Sequence, residues 1–110
     1  MTDCVFCKIV AGEIPAKFVY EDEEIVAFPD IHPQADTHIL IVPREHISGL
    51  PDVSDEHQKL LGRIQVKIAE IAKDQQVNSG YKVLVNAGRF QEVPHLHFHL
   101  LGGNQKGGNN

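Results

Sequence analysis

HLHFHLL, residues 95–101, decides the reading of this chain. Three histidines alternate with large apolar residues. On an extended strand successive side chains point to opposite faces, so His95, His97 and His99 share one face and Leu96, Phe98 and Leu100 the other. The apolar side asks for a core. The imidazole side asks for a reason: three buried rings cost desolvation and repel one another on protonation, with no packing gain over Val or Leu. Two chemistries use this spacing. Three histidines can hold a catalytic zinc that activates water. Alternatively one imidazole is a nucleophile, and its neighbours orient it and handle protons. Spacing leaves both open.

Working outward, residues 81–86 (YKVLVN) read as a strand just before this one. Upstream, Ser54 followed by Asp55 and Glu56 is a helix start, a hydroxyl cap with acids over the positive end of the dipole. Leu60, Leu61, Ile64, Ile68, Ile71 and Ala72 then recur at helical steps, predicting a helix of about 20 residues that ends at Asn78-Ser79-Gly80. Gly62 weakens it by roughly 1 kcal/mol relative to Ala. HILIV at 38–42 reads as a buried strand closed by Pro43. Residues 17–21 and 24–28 read as two strands joined at Asp22-Glu23, and 4–11 as a short helical turn stopped by Gly12. The connections are too short for crossover helices, so the neighbouring strands are antiparallel. The fold class is α+β: an antiparallel sheet of about five strands, one long helix packed on a face, and a short N-terminal helix. One domain is expected over 1–103. Residues 104–110 carry no core-forming side chain and are expected to be a flexible tail.

Composition bounds the function. The chain has 110 residues, the size of a single domain, with 42% hydrophobic and 23% charged residues. Ten basic against fifteen acidic residues give a net charge of −5, which argues against nucleic acid or a membrane surface as partner. A small phosphorylated ligand remains compatible, since it needs only a few local donors. No apolar run approaches the ~20 residues of a membrane span. The N-terminus has no basic, apolar leader, so a cytoplasmic location is expected. Two cysteines, Cys4 and Cys7, are too few for a disulfide framework, and their spacing suits a metal or thiol redox chemistry.

HLHFHLL fits the alternating signature of the histidine triad (HIT) nucleotide hydrolases and transferases. CVFCKIVAGEIPAK at 4–17, FPDIHPQADTHILIVPREHI at 28–47 and GYKVLVNAG at 80–88 resemble the Hint-like branch of that family in the same order. The resemblance implies a HIT fold, a homodimer, and a hydrolase of purine nucleoside phosphoramidates that releases AMP or GMP through a covalent nucleotidyl-histidine. His97 takes the nucleophile's position, and an imidazole with a pKa near 6.5 is substantially neutral and nucleophilic at pH 7. The resemblance gives His95 the role of fixing the nucleophile's tautomer through its backbone carbonyl. It gives His99 contacts to phosphate oxygens and His38 assistance with protons. Asp30 corresponds to a carboxylate that takes the ribose hydroxyls, beside Ile31, and Asn86 to a phosphate-side amide. Phe6, Ile14, Phe28 and Leu40 correspond to apolar walls around the base.

The resemblance also implies a structural zinc on Cys4, Cys7, His46 and His95, with no metal required for catalysis. One segment departs from the family pattern. A glycine-rich stretch usually precedes the triad strand, whereas this chain reads NAGRFQEVP at 86–94, about two residues shorter. Gln91 and Glu92 still align as nucleotide-side residues, but Arg89-Phe90 stands where glycines are usual. Either a side chain intrudes on the phosphate pocket or Arg89 supplies a contact there. The alternatives are a dinucleoside polyphosphate hydrolase or nucleotidyl transferase of the same fold, a non-catalytic nucleotide-binding regulatory protein, and a tri-histidine zinc hydrolase. His57, expected on an exposed helical turn, and His32 receive no role.

Overall fold

The computed structural model describes residues 3–106. Its elements are α1 (Val5–Val10), β1 (Tyr20–Glu21), β2 (Ile25–Pro29), β3 (Ala35–Pro43), α2 (Gln58–Asp74), β4 (Tyr81–Leu84) and β5 (Phe98–Gln105). The five strands form one sheet in the order β1-β2-β3-β5-β4, with every neighbouring pair antiparallel. This is the expected α+β architecture. β5 is inserted between β3 and β4, so the strand that carries His99 runs through the interior of the sheet, with His95 and His97 just before it.

Alternation sorts the core into two layers. Ile25, Ala27, Ile39, Ile41, Phe98 and Leu100 face α2, where Leu60, Ile64, Ile68 and Ile71 supply the helical stripe. Val26, Phe28, Leu40 and Val42 face the other way and pack with Cys4, Phe6 and Ile9 of the α1 region. The sheet is therefore covered on both faces, by the long helix on one and by the short helix on the other. No described helix is long and apolar enough to cross a membrane.

Local chemistry explains the boundaries. The β1–β2 turn lacks glycine because Asp22 replaces it: Oδ1 accepts the N–H groups of Glu24 at 2.7 Å and Ile25 at 2.8 Å. α2 is preceded by a short 3₁₀ turn, Asp55–His57, after Ser54. There the N–H of Ser54 donates to His57 Nδ1 at 3.0 Å, and His57 Nε2 lies 3.3 Å from Glu45. His57 is consequently buried, contrary to the exposure expected for it.

The last strand differs from expectation at both ends. It begins at Phe98, because the N–H of Leu96 donates to Ile47 O at 2.7 Å in the loop after β3 rather than entering the sheet ladder. Its far end runs to Gln105, into the stretch whose composition suggested a tail, and Gln105 pairs with Ala35. Gly102 explains how a glycine-rich segment is used here: a Cβ at this position would stand 2.6 Å from the side chain of Val77. Residues 107–110 of the expected tail lie outside the described residues. The two sheet edges differ. β1 is two residues long and carries Glu21, whereas β4 presents Tyr81, Val83 and Leu84 at least a third exposed.

Candidate functional site

Two sites meet on the α1 face of the sheet, and His95 to His99 joins them. The first is a cavity of about 660 Å³, within the range for small-molecule sites. Its floor is sheet, with Phe28 and Leu40, and Phe6 and Ile14 close its sides. Phe6 packs edge-on against Phe28 at 5.7 Å and against His97 at 5.0 Å between ring centres. His97, His99, Asp30, the exposed Ile31, Glu92 and Val93 also line it.

His97 has a fixed proton. Its Nδ1 lies 2.7 Å from the carbonyl oxygen of His95, and a carbonyl only accepts, so Nδ1 donates and Nε2 keeps a lone pair. His38 is buried behind His99: His38 Nε2 is 2.9 Å from His99 Nδ1 and 3.4 Å from Asp30 Oδ2. The N–H of Gln34 donates to His38 Nδ1 at 2.9 Å. Burial, reinforced by His97 and His38, pushes the pKa of His99 down to about 4. Burial also lowers that of His38, against the opposing pull of Asp30. Both rings are therefore neutral near pH 7.

The second site brings together Cys4, Cys7, His46 and His95, whose ligand atoms all lie within 4.8 Å of one another. Cys4 Sγ is 3.3 Å and Cys7 Sγ 3.6 Å from His95 Nδ1, and Cys7 Sγ is 3.2 Å from His46 Nδ1. His95 is fully buried, and its Nε2–H donates to Pro43 O at 2.8 Å. That bond leaves Nδ1 as a lone pair aimed at the thiols, the outer-shell arrangement expected of a metal-ligating histidine. Two sulfurs and two imidazole nitrogens make a tetrahedral donor set suited to zinc. Burial and the neighbouring Cys4 raise the Cys7 thiol, a cost that a bound cation reverses.

Most residues expected at the nucleotide site converge. Phe6, Ile14, Phe28, Asp30, Ile31, Leu40 and Glu92 line the cavity with His97 and His99. Among the described residues, Asn86 and Gln91 do not. Asn86 is exposed beyond the end of β4, and the amide of Gln91 is taken up by Ser48 O at 2.7 Å and Val93 O at 2.8 Å. Neither Arg89 nor Phe90 enters the cavity: the guanidinium of Arg89 stacks 4.8 Å over the exposed Phe90 ring. The segment that departs from the glycine-rich pattern thus contributes neither Arg89 nor Phe90 to the cavity lining. Val5, Ile9, Pro15, Ala16, Lys17, Pro29 and His32 also line the cavity and were not anticipated. The helical spacing of Val5 and Ile9 was their one sequence signal.

A family model described as "Scavenger mRNA decapping enzyme C-term binding" matches residues 3–110. Protein HitA of Neisseria gonorrhoeae is 49% identical over 104 residues, covering 93% of this chain and 97% of that protein. A purine nucleoside phosphoramidase of Escherichia coli strain K12 is 45% identical over 108 residues, covering 96% of this chain and 91% of that protein. The crystal structure of a HIT family hydrolase from Legionella pneumophila superposes with a TM-score of 0.91 at 46% identity, over 94% of this chain and 95% of that one.

Proposed function

The chain belongs to the histidine triad (HIT) family, and from that premise we propose that it is a purine nucleoside phosphoramidase acting through a nucleotidyl-His97 intermediate. The observation that carries this reading is the bond from His97 Nδ1 to His95 O, which reserves Nε2 as a nucleophile at the end of an apolar cavity. Nε2 attacks the α-phosphorus of a nucleoside phosphoramidate. A bond forms between phosphorus and Nε2, the bond from phosphorus to the leaving amine breaks, and the amine departs with a proton taken from solvent, which the attacking water of the second step returns. Water then attacks the phosphorus, the bond to Nε2 breaks, and the nucleoside monophosphate leaves with His97 restored. His99 faces a phosphate oxygen, and Asp30 takes the ribose hydroxyls. Phe6, Ile14, Phe28, Ile31 and Leu40 enclose the base by shape rather than by hydrogen bonds.

Zinc is the proposed ion at the second site, where Cys4, Cys7, His46 and His95 would hold it in a structural role. The chemical steps above are carried by the chain's own residues. The active form is proposed to be a homodimer. The exposed apolar edge of β4, which lies directly beside β5, supports this reading.

The test is rapid quench of turnover on an adenosine phosphoramidate, with mass spectrometry of the protein. An adenylyl group on His97 is expected. His97→Ala should abolish the adduct and lower kcat by about 10³-fold or more. Turnover without an adduct at residue 97 overturns the mechanism. Faster hydrolysis of diadenosine polyphosphates than of phosphoramidates overturns the substrate class.

A further inference from the structure

Asp30, His38 and His99 form a second group whose donor atoms lie within 4.8 Å of one another, close enough to suggest a chelate. Hydrogen-bond polarity gives a different answer. The main-chain N–H of Gln34 can only donate, so His38 Nδ1 is an acceptor. A neutral imidazole then holds its proton on Nε2. That proton points at His99 Nδ1, 2.9 Å away, which must accept it. His99 in turn holds its own proton on Nε2. This atom is buried and has no partner among the described residues. It lies on the side of the ring away from His38, and His99 lines the cavity whereas His38 does not. Nothing in this chain of bonds leaves His38 Nε2 a lone pair for a metal.

We propose that Gln34 is a positioning residue: its backbone amide, acting through His38, fixes the tautomer of His99 so that Nε2–H is presented to the phosphoryl end of the cavity. The loop that carries Asp30 thereby sets where the proton sits on the triad. Asp30 Oδ1 accepts from the N–H of His32 at 2.8 Å, which ties the carboxylate into the same loop. Its Oδ2, 3.4 Å from His38 Nε2, competes with His99 for the shared proton. A ribose diol donating to Asp30 removes that competition and leaves the proton to His99. The substrate class this selects is the ribonucleotide, and the selection falls on the chemical step as well as on binding. This catalytic consequence rests on the phosphoramidase reading, while the tautomer chain is a property of the free protein.

Long-range proton–nitrogen NMR correlations of the imidazole rings test the chain of bonds without turnover. In the wild-type, zinc-loaded protein, His38 and His99 should both carry the proton on Nε2. In His38→Leu, which removes the donor, His99 should give averaged shifts from mixed tautomers. His38→Gln, whose amide can still donate toward His99 Nδ1, should restore the single form. A wild-type His99 protonated on Nδ1, or a His99 unchanged in His38→Leu, overturns the proposal, and the wild-type spectrum alone decides if the leucine variant fails to fold. Kinetics test the coupling. Replacing a ribonucleoside phosphoramidate by its 2′,3′-dideoxy counterpart should lower wild-type kcat on the order of tenfold, the scale of a weakened transition-state donor, besides raising KM. In His38→Leu the kcat difference should vanish while the KM difference persists. Discrimination confined to KM in the wild type overturns the coupling.

Discussion

His95 performs three tasks with three different atoms. Nε2–H is anchored on Pro43 O, Nδ1 faces both thiols, and the carbonyl fixes the proton of His97. Cys7→Ser should therefore remove most of the metal while leaving His97 in place. Metal analysis should give one zinc per chain in the wild type and a stoichiometry well below one in the variant, and an unchanged stoichiometry would refute the assignment of Cys7. At this scale the sequence displayed the residues that spacing groups together, but not that Asn86 and Gln91 stand outside the cavity. His97, His99, Cys4 and Cys7 were all visible in it, because alternation and spacing are written in residue types. Gln34 was not, because its contribution is a main-chain N–H that any residue except proline provides. His57 was misplaced for a related reason. Its burial depends on where Glu45 and Ser54 are carried by the loop before α2, which no local pattern encodes.

α1 has six residues, too few to be stable as a helix on its own. Its docking depends on Phe6 and Ile9 in the core and on the two cysteines facing His46 and His95. Chelating the metal should accordingly lower Tm and also loosen the Phe6 wall. Hydrogen exchange of the α1 amides should rise while that of β3 and β5 stays slow. In the opposite layer α2 is an ordinary packing helix, and Ile64→Ala, at a fully buried position, should cost about 2–5 kcal/mol in a denaturation experiment. Gly102→Ala should also destabilise, by roughly 1–3 kcal/mol, since its Cβ would overlap Val77. The long helix and the inner strands were legible because their apolar periods are strong. The end of β5 was hidden because the segment is built of Gly, Asn and Gln. It is held by pairing with Ala35 and by Asp36, whose carboxylate accepts the N–H of Asn104 at 2.9 Å.

For the molecule as a whole, burial lowers the pKa of His38 and His99 in the folded chain. The unfolded chain then binds more protons than the native one between the ordinary value of 6.5 and, for His99, about 4. Native stability from this source is fully present above pH 6.5 and is lost as pH falls toward 4. Thermal denaturation followed across that window should show Tm dropping steadily with acid, and a flat profile would contradict the burial of these rings as neutral groups. The unequal margins of the sheet have a further consequence. A ribbon that offers a template on one side and a two-residue acidic stub on the other can be extended only once. In the proposed dimer, back-to-back joining through β4 would use up the longer of the two sheet borders on each copy. Sedimentation over a wide range of concentrations should then resolve one and two copies and nothing larger, the outcome by which the proposed pairing would guard against runaway fibre growth.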